Sequence, residues 1–210
     1  STGNEITFKV VDHPYIDINI YTTRIDTIFG VTYIALSPEC CFLSDLLDED
    51  EQSQLETFLQ TVQAENKIKY GKETEKLGFK IRAKAINPIN GQQVPIWIAN
   101  YVISDYGSGA LMAVPAHDER DNEFATKYKI PIVSVIKKSL EDSTEELYTG
   151  EGILVNSGEY NGLTSIIARE RLSRLAEAHK WGKEQTKYRL NDWLISRQRY
   201  WGCPIPIIHC

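Results

Sequence analysis

Strict alternation of apolar and polar side chains near the start of this chain constrains its fold more than any other feature. Ile16, Ile18 and Ile20 take every second position and alternate with Asp17, Asn19 and Tyr21. A period of two is the pattern of a β-strand that buries one face. The threonine-rich segment TTRIDTIFG at 22–30 follows, and an apolar run resumes at 32–36. The pattern therefore predicts two strands, with a polar loop that leaves the end of the first.

Three helices are predicted, each from an N-capping side chain followed by apolar residues at helical spacing. The segments are 48–66, 118–130 and 164–179, which begin at Asp48, Asp118 and Thr164. In the first, Glu51 follows Asp48 by three residues, which is the spacing of a capping box. Pro131 is expected to end the second. In the third, Ile167, Leu172 and Leu175 are expected to face inward.

Further strands are predicted around recognisable turns. They are residues 85–86, 94–98, 110–114 and 132–136. Asn90 and Gly91 form a strong hairpin signal between the first two. The tight loop YGSG at 106–109 leads into the third, which Pro115 ends, and the polar stretch 138–146 is expected to be a surface loop. Together the elements indicate an α+β fold, in which helices decorate a twisted, β-barrel-like core.

The composition indicates an ordinary globular domain. With 210 residues, 42% of them hydrophobic, the chain is long enough for one sizeable core and a small appendage. No apolar run reaches the roughly 18 to 20 residues that cross a bilayer, and the first residues lack a signal-peptide pattern. We therefore expect an intracellular protein outside the membrane. The net charge of -6 argues against a broad basic face that alone would hold nucleic acid.

Neither disulfide formation nor metal binding is expected. Cys40 and Cys41 are adjacent, while Cys203 and Cys210 lie at the far end, a spacing unlike a disulfide framework or a paired zinc knuckle. Reduced thiols are the expectation. With His209, the last two cysteines offer three ligands, which do not make a tetrahedral zinc site.

Three segments carry side-chain sequences that no simple amphipathic pattern explains. They are TTRIDTIFG at 22–30, YGSGALMAVPAHDERD at 106–121 and DWLISRQRYWG at 192–202. In this order they resemble the motifs of leucyl-tRNA synthetase editing domains, most closely those of the bacterial and organellar branch. Leu194 after Trp193 resembles the leucyl enzymes, since isoleucyl and valyl relatives usually read Trp-Cys-Ile-Ser there. The resemblance implies an editing domain at 1–190 and, at 191–210, the start of the return segment to the class I catalytic core.

Three positions depart from the family's pattern. Ile25 stands where proline is usual, Ser108 replaces a threonine, and IRAK at 81–84 interrupts a stretch that tends to read Phe-Thr-Gly in relatives. Because of the third departure, the resemblance implies nothing about the details of that loop.

The resemblance implies a hydrolase that proofreads tRNA. Its substrate is then the ester between the 3′-terminal adenosine of tRNA(Leu) and a misattached norvaline, isoleucine or methionine. A non-catalytic module that binds the tRNA 3′ end and has kept the editing fold is the alternative. An ATP-using synthetic domain is disfavoured, because neither a His-x-Gly-His nor a Lys-Met-Ser-Lys-Ser signature occurs. We accordingly expect no cofactor in this domain, with ATP and Mg²⁺ needed only by the full-length synthetase.

The implied partners are the tRNA(Leu) 3′ end and the rest of the synthetase in cis. Because the chain is acidic, most tRNA affinity is expected to come from those other parts. The chain stops without a closing turn, so we expect an excised fragment that is monomeric by itself. The expected location is the cytoplasm, with the mitochondrial or plastid matrix as the alternative.

Four residues are candidates for the chemistry by this resemblance. Asp121 is expected to anchor the substrate ammonium through a charge-assisted hydrogen bond, with a solvated helix-start charge as the alternative. Thr27 is expected to form a stiff wall that excludes leucine, unless its hydroxyl serves only its own loop. Thr22 and Thr23 supply hydroxyls that can position a water, the ribose or the carbonyl, with strand-end β propensity as the alternative.

Further residues are expected to shape the binding site. Asp118 is expected to cap its helix or to pair with Arg24, with direct contact to the substrate as the alternative. Arg24 is expected to orient the threonine loop through such a carboxylate, with an ordinary surface arginine as the alternative. A histidine side chain ordinarily titrates near neutrality, so His117 is a candidate general base, although this position is not generally assigned as a base in the family. The remaining pocket residues are Tyr106, Gly107, Ser108, Met112 and Val114, the last two of which also suit simple core filling.

Overall fold

The computed structural model describes residues 1–68, 75–103, 109–139 and 147–187, with the backbone alone for residues 63–68. The strands are β1 (Thr2–Val10), β2 (His13–Thr22), β3 (Tyr33–Leu36), β4 (Gly78–Ile86), β5 (Gln93–Ala99), β6 (Ala110–Ala113), β7 (Ile136–Lys137), β8 (Ile153–Leu154) and β9 (Gly182–Thr186). The helices are α1 (Leu43–Leu46), α2 (Glu49–Ile68), α3 (Glu119–Tyr128) and α4 (Ser165–Ala178), with 3₁₀ turns at Ile25–Gly30 and Gly158–Tyr160. In that part of the chain, no helix is both long and apolar enough to cross a lipid bilayer.

Several predictions fall outside the described residues. They concern the loop residues Tyr106, Gly107 and Ser108, residues 140–146 of the expected surface loop, and the return segment at 191–210. The predicted domain boundary after residue 190 therefore stays a prediction.

A curled sheet is the framework of the described residues. Seven of their strands join it in the order β2-β1-β4-β5-β3-β6, with β9 beside β1. One edge of β1 pairs with β2, and the other edge is divided between β9 and β4. The pairs are antiparallel except for β3 with β5. Since β2 and β6, at the two ends of this order, also contact each other, the sheet curls back on itself. The predicted α+β fold is confirmed.

Strand β3 is buried on both faces. Ile34 and Leu36 belong to the main core, whereas Tyr33 and Ala35 belong to a second apolar cluster that includes α3. Alternate residues of a strand point to opposite faces, so one short strand serves both clusters. It is also paired along both edges, with β5 and with β6. The position of β3 is therefore determined from four sides.

Helix α3 is held against this strand by aromatic packing. The ring centroid of Phe124 lies 5.4 Å from the rings of Tyr33, Trp97 and Tyr101, and 4.5 Å from that of Tyr128. Phe124 is fully buried. Rings at these separations add directional attraction to the burial of apolar area. The packing fixes the start of α3 relative to β6.

The N-caps predicted from sequence are confirmed. The N–H of Asp48 donates to Glu51 Oε2 at 3.2 Å, and the N–H of Glu51 donates to Asp48 Oδ1 at 2.9 Å, the reciprocal bonds of a capping box. Asp118 and Thr164 each accept hydrogen bonds from N–H groups in the first turns of α3 and α4. These side chains satisfy donors that have no partner inside the helix.

The predicted hairpin at Asn90 and Gly91 joins β4 to β5. Gly91 has φ 71°, which glycine adopts without steric cost, and its N–H donates to the carbonyl of Asn87 at 2.8 Å. The buried side-chain amide of Asn87 donates to the carbonyl of Ile28 at 2.9 Å. The hairpin thereby supports the 3₁₀ turn of the threonine-rich segment.

The strand predicted at 132–136 is mostly wrong. Only Ile136 joins a strand, and Ile132 and Val133 are 45% and 36% exposed. The N–H groups of Val135 and Ile136 donate to His117 Nε2, at 3.0 and 3.2 Å. The side chain of His117, which is distant in sequence, thus accepts the N–H groups that would pair with a neighbouring strand in a longer ladder.

Two details of the helices also differ from prediction. Ile167 is 42% exposed rather than inward-facing, because α4 buries Ser165, Ala168, Leu172 and Ala176. The small side chains on that face let the helix pack closer to the core than an inward-facing Ile167 would allow. Helix α3 ends at Tyr128, before Pro131, because Lys129 adopts the left-handed conformation at φ 55°.

Phe124→Ala should lower the free energy of unfolding by about 3 to 5 kcal/mol, the usual cost of removing a buried aromatic ring. The measurement is urea unfolding followed by circular dichroism. Ile103→Ala, at a side chain that is 63% exposed, is the control and should change stability by less than about 0.5 kcal/mol. Equal effects of the two substitutions would show that the aromatic cluster does not hold α3.

Candidate functional site

Antiparallel pairing of β3 with β6 brings the two described motif segments together. Tyr33, the first residue of β3, is opposite Ala113, the last residue of β6, and the N–H of Thr32 donates to the carbonyl of Ala113 at 3.1 Å. The segment 22–30 leads into β3, and the segment 114–118 leaves β6. Both segments therefore lie at the same edge of the sheet, beside the end of β2.

A cavity of about 220 Å³ opens between these segments. It is lined by Ile20, Tyr21, Thr22, Thr23, Arg24, Thr27, Met112, Val114, His117, Asp118 and Arg120. With the exception of Asp121, every predicted site residue that the structure describes is in this set. Within the described residues, no cluster of three or more His, Cys, Asp or Glu side chains offers a metal site.

Thr27 is held rigidly in the wall of the cavity. Its hydroxyl donates to the carbonyl of Arg24 at 2.8 Å, and its N–H donates to the same oxygen at 3.0 Å. The side chain is 1% exposed. The hydroxyl thus serves its own loop, as one interpretation of the sequence held, while the side chain still lines the cavity. The hydroxyl bond restricts the first side-chain torsion, which β-branching already makes stiff, and the N–H bond holds the backbone.

Thr22 and Thr23 lie at the rim and differ in their surroundings. The hydroxyl oxygen of Thr22 accepts the N–H of Arg24 at 3.0 Å, which leaves its proton available to donate into the cavity. Thr23 is exposed. Met112 and Val114 are 6% and 8% exposed, so they fill the core and line the cavity at once.

The expected pairing of Arg24 with Asp118 is wrong. Arg24 Nε donates to the two carboxylate oxygens of Asp26 at 3.1 and 3.2 Å. Asp26 is fully buried and therefore requires a compensating charge nearby. Asp118 is occupied elsewhere: it caps α3 and pairs with Arg120 at 3.2 Å. Sequence reasoning missed Asp26 because the motif alone does not reveal that its one carboxylate is buried.

Asp118 is the carboxylate that lines the cavity. Burial raises the pKa of this group, but hydrogen bonds and charge from Arg120, together with the N–H groups at the start of α3, outweigh it, and the pKa lies below its ordinary value. Asp118 is therefore ionised at neutral pH. Arg120, which sequence reasoning did not select, brings a cation to the same wall; its side chain is 58% exposed.

Asp121 lies behind the cavity wall. Val114, which lines the cavity, donates its N–H to Asp121 Oδ2 at 2.9 Å, and the hydroxyl of Tyr101 donates to Oδ1 at 3.0 Å. The hydroxyl of Tyr33 is 2.9 Å from that of Tyr101. Asp121 is 3% exposed. Burial, assisted by the negative charge of Asp118, raises the pKa of Asp121 to about 7.

His117 is not placed to act as a base. Its Nε2 accepts the N–H groups of Val135 and Ile136, so the ring proton is on Nδ1, which lies 2.8 Å from the carbonyl of Tyr148. Burial lowers the pKa of His117 and keeps the ring neutral. Both nitrogens are used to hold separate segments of the chain together. The arrangement supports a structural role.

Besides Arg120, two lining residues were not selected from sequence as site residues. Ile20 was expected to be a core residue of β2, and it is 1% exposed. Tyr21 lines the cavity while its hydroxyl donates to the carbonyl of Ser1 at 2.6 Å. The only sequence signal for either was proximity to the threonine-rich motif.

Asp121→Asn should change how stability depends on pH. The folded pKa is about 7 and the unfolded value is near 3.8, so the folded state binds more protons between these values. The group therefore lowers the stability of the unaltered chain as pH rises through this window, by up to about 1.4 kcal/mol per pH unit. Asn does not titrate, so the variant should gain stability relative to the unaltered chain as pH rises from 4 to 7.

Urea unfolding of both proteins at several pH values measures this difference. Asp118→Asn is the control with the opposite sign, because the pKa of Asp118 is lowered and its stabilising charge is lost as pH falls. Parallel stability curves for Asp121→Asn and the unaltered chain would contradict a raised pKa at Asp121.

Sequence similarity to known proteins extends along the whole chain. The family described as "Leucyl-tRNA synthetase, editing domain" matches residues 1–177. The leucine–tRNA ligase of Clostridium kluyveri is 47% identical over 211 aligned residues, which cover 100% of this chain and 25% of that protein. For the leucine–tRNA ligase of Thermotoga maritima the identity is 46%, with coverage of 100% and 26%. The chain thus spans about a quarter of the length of these relatives.

The fold is shared with a solved structure of the same kind. The match is the crystal structure of the ternary complex of Agrobacterium radiobacter agnB2 LeuRS with tRNA and LeuAMS, at a TM-score of 0.69 and 34% identity. It covers 100% of this chain and 23% of the other. By family match, sequence identity and fold, this chain belongs to the leucyl-tRNA synthetase editing domains.

Proposed function

We propose that this chain hydrolyses the ester bond of tRNA(Leu) that carries norvaline, isoleucine or methionine in place of leucine. The observation that carries the proposal is the cavity, which has the rigid Thr27 in its wall and the acidic start of α3 along another side. At about 220 Å³ it is smaller than the usual pockets for drug-sized ligands, and it suits one amino-acid side chain.

The biochemical need for such a cavity follows from energetics. A pocket that must distinguish side chains differing by one methylene gains only about 1 to 3 kcal/mol, so a leucine-activating site also accepts close analogues. A second site that excludes leucine by shape removes the errors. Thr27 supplies a wall of the required stiffness, because its hydroxyl and N–H are both bonded to one carbonyl oxygen.

The proposed chemistry is attack by a positioned water on an activated ester. The hydroxyl of Thr22 can donate to the ester carbonyl or to the water, and the exposed cation of Arg120 suits a phosphate of the tRNA 3′ end. Because both nitrogens of His117 are used structurally, we assign it no proton transfer. The acceleration of hydrolysis then comes from the orientation of water and ester and from electrostatic stabilisation of the transition state.

We propose Asp121 as the anchor of the substrate ammonium, with Asp118 as its supporting charge. Asp121 accepts a hydrogen bond from the N–H of Val114, a residue that lines the cavity. A bound ammonium favours the ionised form of a carboxyl whose pKa is raised to about 7. Asp118 is already committed to the helix cap and to Arg120.

The wider setting is proposed on the same basis. The chain acts in cis with the rest of a leucyl-tRNA synthetase, in the cytoplasm or in the matrix of an organelle. Its net charge of -6 is consistent with tRNA affinity that comes mainly from other parts of such an enzyme.

Thr27→Ala should allow hydrolysis of correctly charged leucyl-tRNA, with a rise of about tenfold or more, because removing the wall enlarges the cavity. Deacylation of radiolabelled leucyl-tRNA by the full-length synthetase carrying the substitution measures it. Thr27→Val is the matched control: it keeps the bulk and loses the hydroxyl, so leucyl-tRNA should stay protected. Full protection in Thr27→Ala would remove Thr27 from the proposed role.

Asp121→Asn should lower the deacylation rate of isoleucyl-tRNA by about a hundredfold or more, since the ammonium loses its charged partner. Asp118→Asn should have a smaller effect, because Asp118 acts through the helix cap and Arg120. Rates under single-turnover conditions measure both. A larger loss in Asp118→Asn than in Asp121→Asn would transfer the anchoring role to Asp118.

The alternative, a non-catalytic module that binds the tRNA 3′ end, rests on one observation. Among the described residues that line the cavity, no side-chain base is free, since His117 is occupied and Asp118 caps α3 and pairs with Arg120. The same assay separates the two functions: a binding module protects mischarged tRNA from spontaneous hydrolysis, whereas an editing hydrolase accelerates its loss.

A further inference from the structure

A carboxylate that the proposed mechanism does not use lies between two guanidinium groups. Asp26 is fully buried, and its Oδ2 lies 3.1 Å from Arg24 Nη2 and 3.5 Å from Arg169 Nη1. Arg24 comes from the threonine-rich loop, whereas Arg169 comes from α4, more than 140 residues further along the chain. A buried charge is tolerated when it is paired and hydrogen-bonded, so the two arginines together stabilise Asp26.

The loop side of this cluster leads directly to the cavity wall. Arg24 Nη1 and Nη2 donate to the carbonyls of Thr149 and Gly150 at 3.1 and 3.2 Å, which fixes the guanidinium at its far end. The carbonyl of Arg24 accepts both hydrogen bonds from Thr27. Any displacement of the Arg24 backbone is therefore passed to Thr27.

Arg169, which comes from α4, is also anchored at its guanidinium group. Arg169 also pairs with Glu151, and its side chain is 25% exposed. Next to this pair, the N–H of Ser165 donates to the carbonyl of Gly152 at 2.9 Å, and the N–H of Gly152 donates to the hydroxyl of Ser165 at 3.0 Å. The segment 149–152 and α4 thus form one support beneath the threonine loop. Arg169 itself is not among the residues that line the cavity.

We propose that Arg169 is a positioning residue that sets where Thr27 stands, and so sets the discrimination between leucine and its analogues. The proposal rests on the editing function proposed above. Arg169 acts through Asp26 and Arg24, in that order, and contacts no substrate. Without Arg169, Arg24 is the only ion-pair partner that Asp26 keeps among the described residues, and the threonine loop is then held from one side. Small displacements of a positioning group have large effects on a site of this kind.

Arg169→Gln tests the proposal in the full-length synthetase. The measured quantity is the ratio of deacylation rates for leucyl-tRNA and isoleucyl-tRNA. We expect this ratio to rise about fivefold or more, with the melting temperature recorded to show that the domain is folded. Arg169→Lys retains the charge and loses the forked geometry, so an intermediate ratio is expected.

Arg174→Gln is the matched control on the same helix. Arg174 pairs with Glu170 in solvent, with a side chain that is 77% exposed, and its removal should leave the ratio unchanged. An equal change in both glutamine variants would overturn the proposal, because the effect would then be a general one on α4.

A double-mutant cycle with Thr27→Ala separates positioning from a merely structural effect. If Arg169 acts through Thr27, then Arg169→Gln should not change the ratio further once Thr27 is alanine. A full additional change in that background would overturn the proposal. If the unaltered protein hydrolyses mischarged tRNA and the ratio is unchanged in Arg169→Gln, only the positioning role of Arg169 is overturned. If the unaltered protein does not hydrolyse mischarged tRNA, the editing function is overturned, and the role of Arg169 with it.

Discussion

The antiparallel register of β3 with β6 is the constraint on which the site depends. It places the first residue of one strand beside the last residue of the other, so the loop before β3 and the turn after β6 must meet. β3 can impose this register because it is buried on both faces and paired on both edges. The geometry of the cavity is thus a consequence of packing far more extensive than the cavity itself.

The two carboxylates at the start of α3 have opposite electrostatic surroundings. Asp118 meets helix N–H groups and Arg120, which favour its charged form. Asp121 meets the aromatic cluster and the charge of Asp118, and its pKa is about 7. Neighbouring acids whose pKa values are separated in this way are typical of functional sites. Here the separation arises because the capping position meets Arg120 and the helix N–H groups, whereas the position three residues later faces the core.

Much of the fold and most of the described cavity lining were predictable, and the two errors that involve cavity residues share one cause. Capping side chains, the Asn90–Gly91 hairpin and the strand alternation of β2 act over a few residues, so the sequence displays them locally. The failed predictions concern contacts between distant segments. Residues 132–136 lost strand donors to His117, and Arg24 found Asp26 and the carbonyls of Thr149 and Gly150 instead of Asp118.

The amino-acid sequence alone was sufficient for the α+β class and for the helix starts, because periodicity and capping are local properties. The residues expected around the cavity came instead from the resemblance of its motifs to those of leucyl editing domains. Burial was decided only by the tertiary structure. It placed Asp121 behind Val114 and not in the cavity, fixed both nitrogens of His117, and enclosed Asp26 between Arg24 and Arg169. Which polar groups lose contact with water depends on how distant segments pack, and that loss is what sets their charge, their partners and their role.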